Sequence, residues 1–306
     1  MNSFCHNEYE IRIFGMRRSG NHMLTDWIAS LFDQPVYFFN NCRYFNDPLR
    51  TNFIRTINPH VKRLYCNIPI MAGWEEKDVQ PIRECRKECL LLSYEESNLL
   101  NFEDKDVIEN RQDTIKDSEM IFDILIIRDF FNWTASRLYC ESGDRNCLAN
   151  KTDKIKKARP DDNEWMESAK TISRGSFLSY NRHSVTLWKI FAREFLNETH
   201  YLKQNKIPIS YNKFVSDEKY RKQIARKIGR NYQDWTLNEL GTMYGNGSSF
   251  EKNTKLHNAE RVKVLERWKT LKDNVIYREL INEDKEAIEL SERVFGHVSG
   301  TEYLLD

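Results

Sequence analysis

Anion-holding chemistry is concentrated in one short stretch, Gly15-Met16-Arg17-Arg18-Ser19-Gly20-Asn21-His22. Arginine brings a fixed charge and a fork of N–H donors, and serine, asparagine and histidine bring further donors. Glycines at both ends let the backbone turn tightly, so that successive N–H groups can face one point where a phosphate or sulfate group is favoured. A second set lies further on: Arg128 and, eight residues later, Ser136. A guanidinium and a hydroxyl suit another phosphate, the first through charged bidentate bonds and the second through one short bond. Glu95 is the leading candidate for a general base, and its neighbour Glu96 points elsewhere unless a turn intervenes. His22 and His60 are weaker candidates for the same role, and His22 reads better as a donor to the anion.

These residues need elements to position them. Ile11–Phe14 reads as a strand and Asn21–Phe32 as a helix, which brings a helix N-terminus to the loop between them. Gly15 and Gly20 have the spacing of a nucleotide P-loop, but that pattern requires Lys and then Ser or Thr where this chain has Asn21 and His22. The loop therefore reads as phosphate-binding without being an ordinary NTPase loop. Arg128 follows the most apolar run, Glu119–Ile127, interrupted by Asp123, and Ser136 sits on the helix expected over Phe131–Tyr139. In open α/β sheets, ligands gather at the C-terminal strand edge. Glu95 ends a strand over Cys89–Tyr94 at that same edge.

The rest of the chain alternates similarly. Pro35–Phe39, Val61–Met71 and Ile207–Tyr211 read as extended segments. Glu167–Glu198, Leu256–Leu271 and Asp284–Phe295 read as helical, as does Ser216–Ile228 with Ser216 as its cap. Residues 40–60 read as irregular, Ser97–Ser118 as loop or short exposed helix, and Gly241–Asn253 as a glycine- and serine-rich loop. The pattern predicts one α/β domain over residues 1–306, a P-loop-like three-layer fold with a central, mainly parallel sheet flanked by helices. The polar stretch 141–163 is expected to be a mobile excursion, a candidate lid.

Bulk properties exclude some partners. Lys plus Arg number 47 against 46 Asp plus Glu, so net charge gives no support for a nucleic-acid or membrane surface. No run approaches the roughly 18 apolar residues of a bilayer span. The N-terminus lacks a signal-peptide core, and seven cysteines lie without repeated close spacing. Reduced thiols in a cytoplasmic protein are the expectation. The sequons at Asn132, Asn197 and Asn246 then read as chance matches. No Asp/His cluster suggests a metal.

Taken together, the two anion segments resemble known ones. Gly15–His22 resembles the 5′-phosphosulfate loop of the sulfotransferases that use 3′-phosphoadenylyl sulfate (PAPS). Ile126-Ile127-Arg128-Asp129-Phe130-Phe131-Asn132-Trp133-Thr134-Ala135-Ser136-Arg137 resembles their 3′-phosphate segment, whose arginine and serine have this separation. Ile207–Tyr211 followed by Ser216-Asp217 is similar to a later strand-and-helix section of that family. Gly245–Phe250 and Val264–Lys269 are similar to its C-terminal cofactor-closing region.

The resemblance implies PAPS as sulfuryl donor, adenosine 3′,5′-bisphosphate as product, no metal, and a small-molecule acceptor bearing a hydroxyl or amine. It implies that Arg18 lies beside the transferring group, with Arg17, Ser19, Gly20, Asn21 and His22 completing the 5′ loop. Arg128 and Ser136 would hold the 3′-phosphate, Ser248 and Ser249 would close over it, and Arg267 would add positive potential. This chain has Arg18 where the family usually has lysine, Asn21-His22 for a common threonine pair, and Met23 for an aromatic. Arg18 is thus expected to neutralise charge rather than to shuttle a proton, and adenine stacking must come from elsewhere; Phe177, Tyr180 and Trp188 are candidates if they are not core. Two rival readings are an ATP- and Mg²⁺-dependent P-loop kinase and a noncatalytic nucleotide-binding module.

Overall fold

The computed structural model describes residues 7–34, 36–44, 47–51, 54–58, 63–67, 76–102, 109, 115–141, 182–232 and 263–305. Strand β1 (Asn7–Gly15) lies between β5 (Lys87–Glu95) and β6 (Ser118–Ile127) and runs parallel to both. Beyond them, β2 (Val36–Phe39) is parallel to β5 and β7 (Ile207–Ser210) is parallel to β6. Strands β3 (Ile54–Asn58) and β4 (Arg63–Asn67) extend one edge in antiparallel fashion, giving the order β4-β3-β2-β5-β1-β6-β7.

Strand periodicity explains the layers. Successive side chains point to opposite faces, so Ile11, Ile13, Leu91, Ile124 and Ile126 pack on Leu24, Trp27 and Ile28 of helix Asn21–Ala29, with Phe214 and Ile228 beside them. Phe14, Leu90, Leu92, Leu125 and Ile127 face the other way, onto Phe130, Trp133 and Leu138 of helix Phe130–Glu141 and onto Trp188 and Phe191. A parallel sheet covered on both faces needs nearly continuous apolar strands, as these sequences provide. The result is the P-loop-like three-layer α/β fold with a mainly parallel central sheet.

Asp123, the break in the apolar run of β6, has a specific partner. It is the cross-strand neighbour of Arg12, whose Nε donates to Asp123 Oδ1 at 2.6 Å, and both side chains are buried. Asp123 Oδ2 also accepts the Gln204 N–H at 2.9 Å, and the Arg12 guanidinium lies 4.6 Å from the Phe102 ring centre.

Several boundaries differ from expectation. Residues 40–60 hold a short helix, Pro48–Thr51, and strand β3. Helices Glu76–Glu84 and Val275–Glu283 were unforeseen, the first being highly charged with Pro81 inside it. Ser216 does not cap the helix Glu218–Ile228. It closes the preceding helix, Tyr211–Ser216, and Asp217 accepts the Tyr220 N–H at 3.1 Å instead. Strand β7 stops at Ser210, because that hydroxyl caps the helix beginning at Tyr211. Of the segment Leu256–Leu271, the described helix covers Arg267–Leu271, preceded by a turn over 263–265. The helix predicted from Glu167 is described over 182–195. The expected excursion, from residue 142 onward, and the loop Gly241–Asn253 lie outside the described residues. No helix among the described residues is long and apolar enough to cross a membrane.

Candidate active site

The register of the three central strands assembles the site. Gly15 is level with Glu95 on one side and Ile126 on the other, so the loop after β1, the end of β5 and Arg128 just beyond β6 share one sheet edge. Gly15 itself leaves room at this junction: a Cβ there would stand 2.1 Å from Asn21 Oδ1. Gly20 turns the chain into the helix with φ 95°, and a Cβ on it would meet the Tyr211 ring at 2.2 Å. Glycine is required there on both counts.

Between these glycines the loop is held from behind. Asn21 Nδ2 donates to the Met16 carbonyl at 3.3 Å, Trp133 Nε1 to the Arg17 carbonyl at 3.0 Å, and Arg128 Nη1 to the Arg18 carbonyl at 3.3 Å. Three consecutive carbonyls are thus tied to donors from three different places in the fold. Arg18 adopts a left-handed φ of 71°, unusual for a side-chain-bearing residue. The N-cap residue of the helix Asn21–Ala29 is Gly20, which has no side chain to cap it, and no acidic residue occupies its first turn. An uncapped N-terminus favours an anion through its N–H groups and its dipole. The buried Ser19 hydroxyl has no hydrogen-bond partner among the described residues, although the Ser19 N–H donates to Met16 O at 3.1 Å.

Arg128 is buried and has no carboxylate in ion-pair contact among the described residues. Its Nη1 and Nη2 donate to the carbonyls of Arg18 and Val264, and its guanidinium lies 5.0 Å from the Tyr211 ring centre. Its Nε has no hydrogen-bond partner among the described residues. Burial weakens its hold on the proton, with Arg18 nearby acting in the same direction and Tyr211 and Asp129 opposing. A buried charge without a counter-charge is costly and would be relieved by an anion.

The structure brings Ser136 and Arg267 together. Arg267 Nη1 donates to Ser136 Oγ at 2.6 Å in buried surroundings. Asn132 secures the same C-terminal segment, donating to Leu265 O at 3.0 Å and accepting the Trp268 N–H at 3.3 Å. Asp129 in turn accepts from the Asn132 N–H at 2.8 Å and from Asn212 Nδ2 at 3.0 Å. Asn132 and Asp129 have no local signature as supports, because partners such as Leu265 and Asn212 are far away along the chain. Ser248 and Ser249 lie outside the described residues, as do Phe177, Tyr180 and His60. Trp188 is core, its indole N–H donating to Arg128 O at 3.1 Å.

Glu95 lies against the loop. Its Oε1 accepts from Asn21 Nδ2 at 2.9 Å and is 4.0 Å from His22 Nε2, and its Oε2 is 4.0 Å from Arg17 Nε. Glu96 follows in a left-handed turn, φ 54°, with its N–H donating to Gly15 O at 3.1 Å. That turn prevents the simple alternation expected of an extended pair. Both carboxylates approach Arg17, with Glu96 Oε2 3.7 Å from its Nε, and Glu96 also pairs with the buried Arg137. Arg137 lies one residue past Ser136 and escaped notice as a charged helix residue.

The geometry can be set beside known proteins. No protein-family model and no curated protein matches the chain. Among solved structures it is similar to the sulfotransferase domain from the Synechococcus PCC 7002 olefin synthase. The alignment covers 95% of this chain and 96% of that one, at 11% identity and a TM-score of 0.42. So faint a likeness carries no argument about activity, which must come from the residues.

Proposed function

We propose that this protein is a PAPS-dependent sulfotransferase acting on a hydroxyl or amine of a small-molecule acceptor. The observation that carries this reading is the buried Arg128, without a carboxylate in ion-pair contact among the described residues, bonded to a loop whose carbonyls are tied back. Two anion anchors then share one sheet edge with the carboxylate of Glu95. The buried Ser19 hydroxyl and Arg128 Nε, both without hydrogen-bond partners among the described residues, fit a ligand bearing oxyanions at two places.

Bound PAPS would supply a sulfuryl group, the S–O bond to its 5′-phosphate breaking as the acceptor oxygen or nitrogen bonds to sulfur. The Ser19 hydroxyl and the main-chain N–H groups of Gly20, Asn21 and His22 serve the 5′ side, and Arg17 and Arg18 add positive charge around the transferring group. Fixed donors of this kind stabilise developing charge without reorganising. Arg18 remains a cation throughout and takes no proton. Glu95 Oε2 receives the proton from the acceptor, while His22 donates to the anion. Arg128, Ser136 and Arg267 hold the 3′-phosphate, with Ser248 and Ser249 as further contacts. No metal is required, since the cationic side chains and N–H groups provide the neutralisation. A cytoplasmic setting belongs to this reading, and among the described residues Cys42, Cys85 and Cys89 form no disulfide.

The kinase reading has less support. Asn21 occupies the position of the Walker lysine, and its amide is committed to Met16 and Glu95. Calorimetry with adenosine 3′,5′-bisphosphate and with ATP plus Mg²⁺ separates the two: the bisphosphate is expected to bind more tightly, and preference for ATP would overturn the assignment. Bisphosphate binding without any sulfated product from PAPS and a broad acceptor screen would favour a binding module. Replacing Glu95 by Gln is expected to keep bisphosphate affinity while slowing turnover by roughly 10²–10⁴-fold, the usual worth of a general base. Unchanged turnover would remove Glu95 from that role.

A further inference from the structure

We infer that Asn21 is a positioning residue: its side chain fixes the carboxylate of Glu95 to the anion loop rather than binding the anion itself. This rests on the sulfotransferase reading for its catalytic meaning, but the bridge is a feature of the fold. An asparagine amide has two N–H bonds, and both have protein acceptors here. One reaches the Met16 carbonyl at 3.3 Å and the other Glu95 Oε1 at 2.9 Å. Both neighbours are acceptors, which fixes which way round the amide stands. No side-chain N–H is left for a phosphate, so any contact from this position must come from the main chain.

Space and charge point the same way. Asn21 is buried, and its Oδ1 occupies the volume that a Cβ on Gly15 would require. Because β1 and β5 pair Gly15 with Glu95, the missing side chain lies beside the carboxylate being held. The bridge engages Oε1 and leaves Oε2 facing Arg17, 4.0 Å away, as the oxygen that can take a proton. A lysine at position 21 would put a cation against the carboxylate and reduce its proton affinity. A neutral amide orients the group without adding a further cation. Asn21 therefore explains how a P-loop-like turn can stand next to a general base.

The test is a double-mutant cycle with three readouts. Asn21→Ala is expected to lower kcat about tenfold or more, through misplacement of the base. The dissociation constant for adenosine 3′,5′-bisphosphate should stay within about twofold, since no phosphate donor is removed. In a Glu95→Gln background the same substitution should change kcat by less than about twofold, because the group it positions no longer acts. A parallel loss of bisphosphate affinity would make Asn21 an anion ligand and overturn the inference. So would a kcat loss that persists undiminished in the Glu95→Gln background. Melting temperatures of Asn21→Ala, Glu95→Ala and the double variant read the bridge without activity: the shifts should be less than additive, and additive shifts would overturn it. If wild-type protein fails to bind the bisphosphate, the PAPS reading fails, and the melting cycle still decides the bridge.

Discussion

Arg12 and Arg128 are both fully buried guanidinium groups on the central strands or just past them, yet their surroundings differ in one respect. Arg12 lies mid-strand and shares an ion pair with Asp123, its cross-strand neighbour. Arg128 lies at the strand end and, among the described residues, meets main-chain carbonyls and an aromatic ring, with no hydrogen-bond partner at Nε. The first cation is neutralised within the protein and belongs to the scaffold. The second has desolvation without neutralisation, a condition that an incoming anion reverses. Position along the strand separates the roles, since only the strand end opens to the ligand edge of an α/β sheet.

The comparison can be broken most forcefully at Asp123. Asp123→Ala leaves Arg12 buried without its counter-charge, and the expected loss is about 3–5 kcal/mol in denaturant unfolding. A loss under about 1 kcal/mol would show that Arg12 does not depend on the pair. Arg128→Met should have the opposite profile. It is expected to weaken adenosine 3′,5′-bisphosphate binding by roughly 10–100-fold, the scale of charge-assisted hydrogen bonds. Stability should change far less than for Asp123→Ala, because the lost carbonyl contacts are offset by removal of a desolvated charge. Affinity for adenosine 5′-phosphosulfate, which lacks the 3′-phosphate, should fall less. Equal losses for the two nucleotides would refute the assignment of Arg128 to that phosphate.

A smaller effect sharpens the scaffold side. Burial pushes the Glu10 carboxyl up from its ordinary 4.5, against the opposing pull of Arg12 and of the Ser118 hydroxyl. A carboxyl whose proton affinity is raised by folding favours the folded state below about pH 4.5 and loses that contribution as pH rises through its raised value. Glu10→Gln should therefore raise the melting temperature at pH 7 by roughly 2 °C, with the gain shrinking on acidification. A gain that grows towards low pH would reverse the sign and remove Glu10 as a cause.

The strand-loop-helix unit and the apolar strands were legible because local signals coincide there: glycine spacing, β-branched runs and a helix start point to the same layout. The position of Arg128 just past β6 was legible from the apolar strand before it, as was that of Ser136 on the helix that follows. The Asn21–Glu95 bridge was not, because it depends on the register that places β5 next to β1, and strand order has no local signature. The left-handed turn at Glu96 was equally hidden, since glutamate gives no sign of positive φ. Helix Glu76–Glu84 escaped because Pro81 and a dense set of charges obscure its periodicity. Helical caps failed by one residue at Ser216, where adjacent Ser and Asp are both able to cap and the tertiary path decides.

The three donors behind the loop have a consequence for how freely its sequence can vary. Met16, Arg17 and Arg18 are held by their carbonyls, a group every amino acid possesses, and the holding side chains reside elsewhere. The shape of the turn is thereby insulated from the identities of the residues that form it. Substitutions at 17 and 18 can retune charge and reach while inheriting the same backbone mould. The positions under tight constraint are then the donors Asn21, Trp133 and Arg128, together with the two glycines.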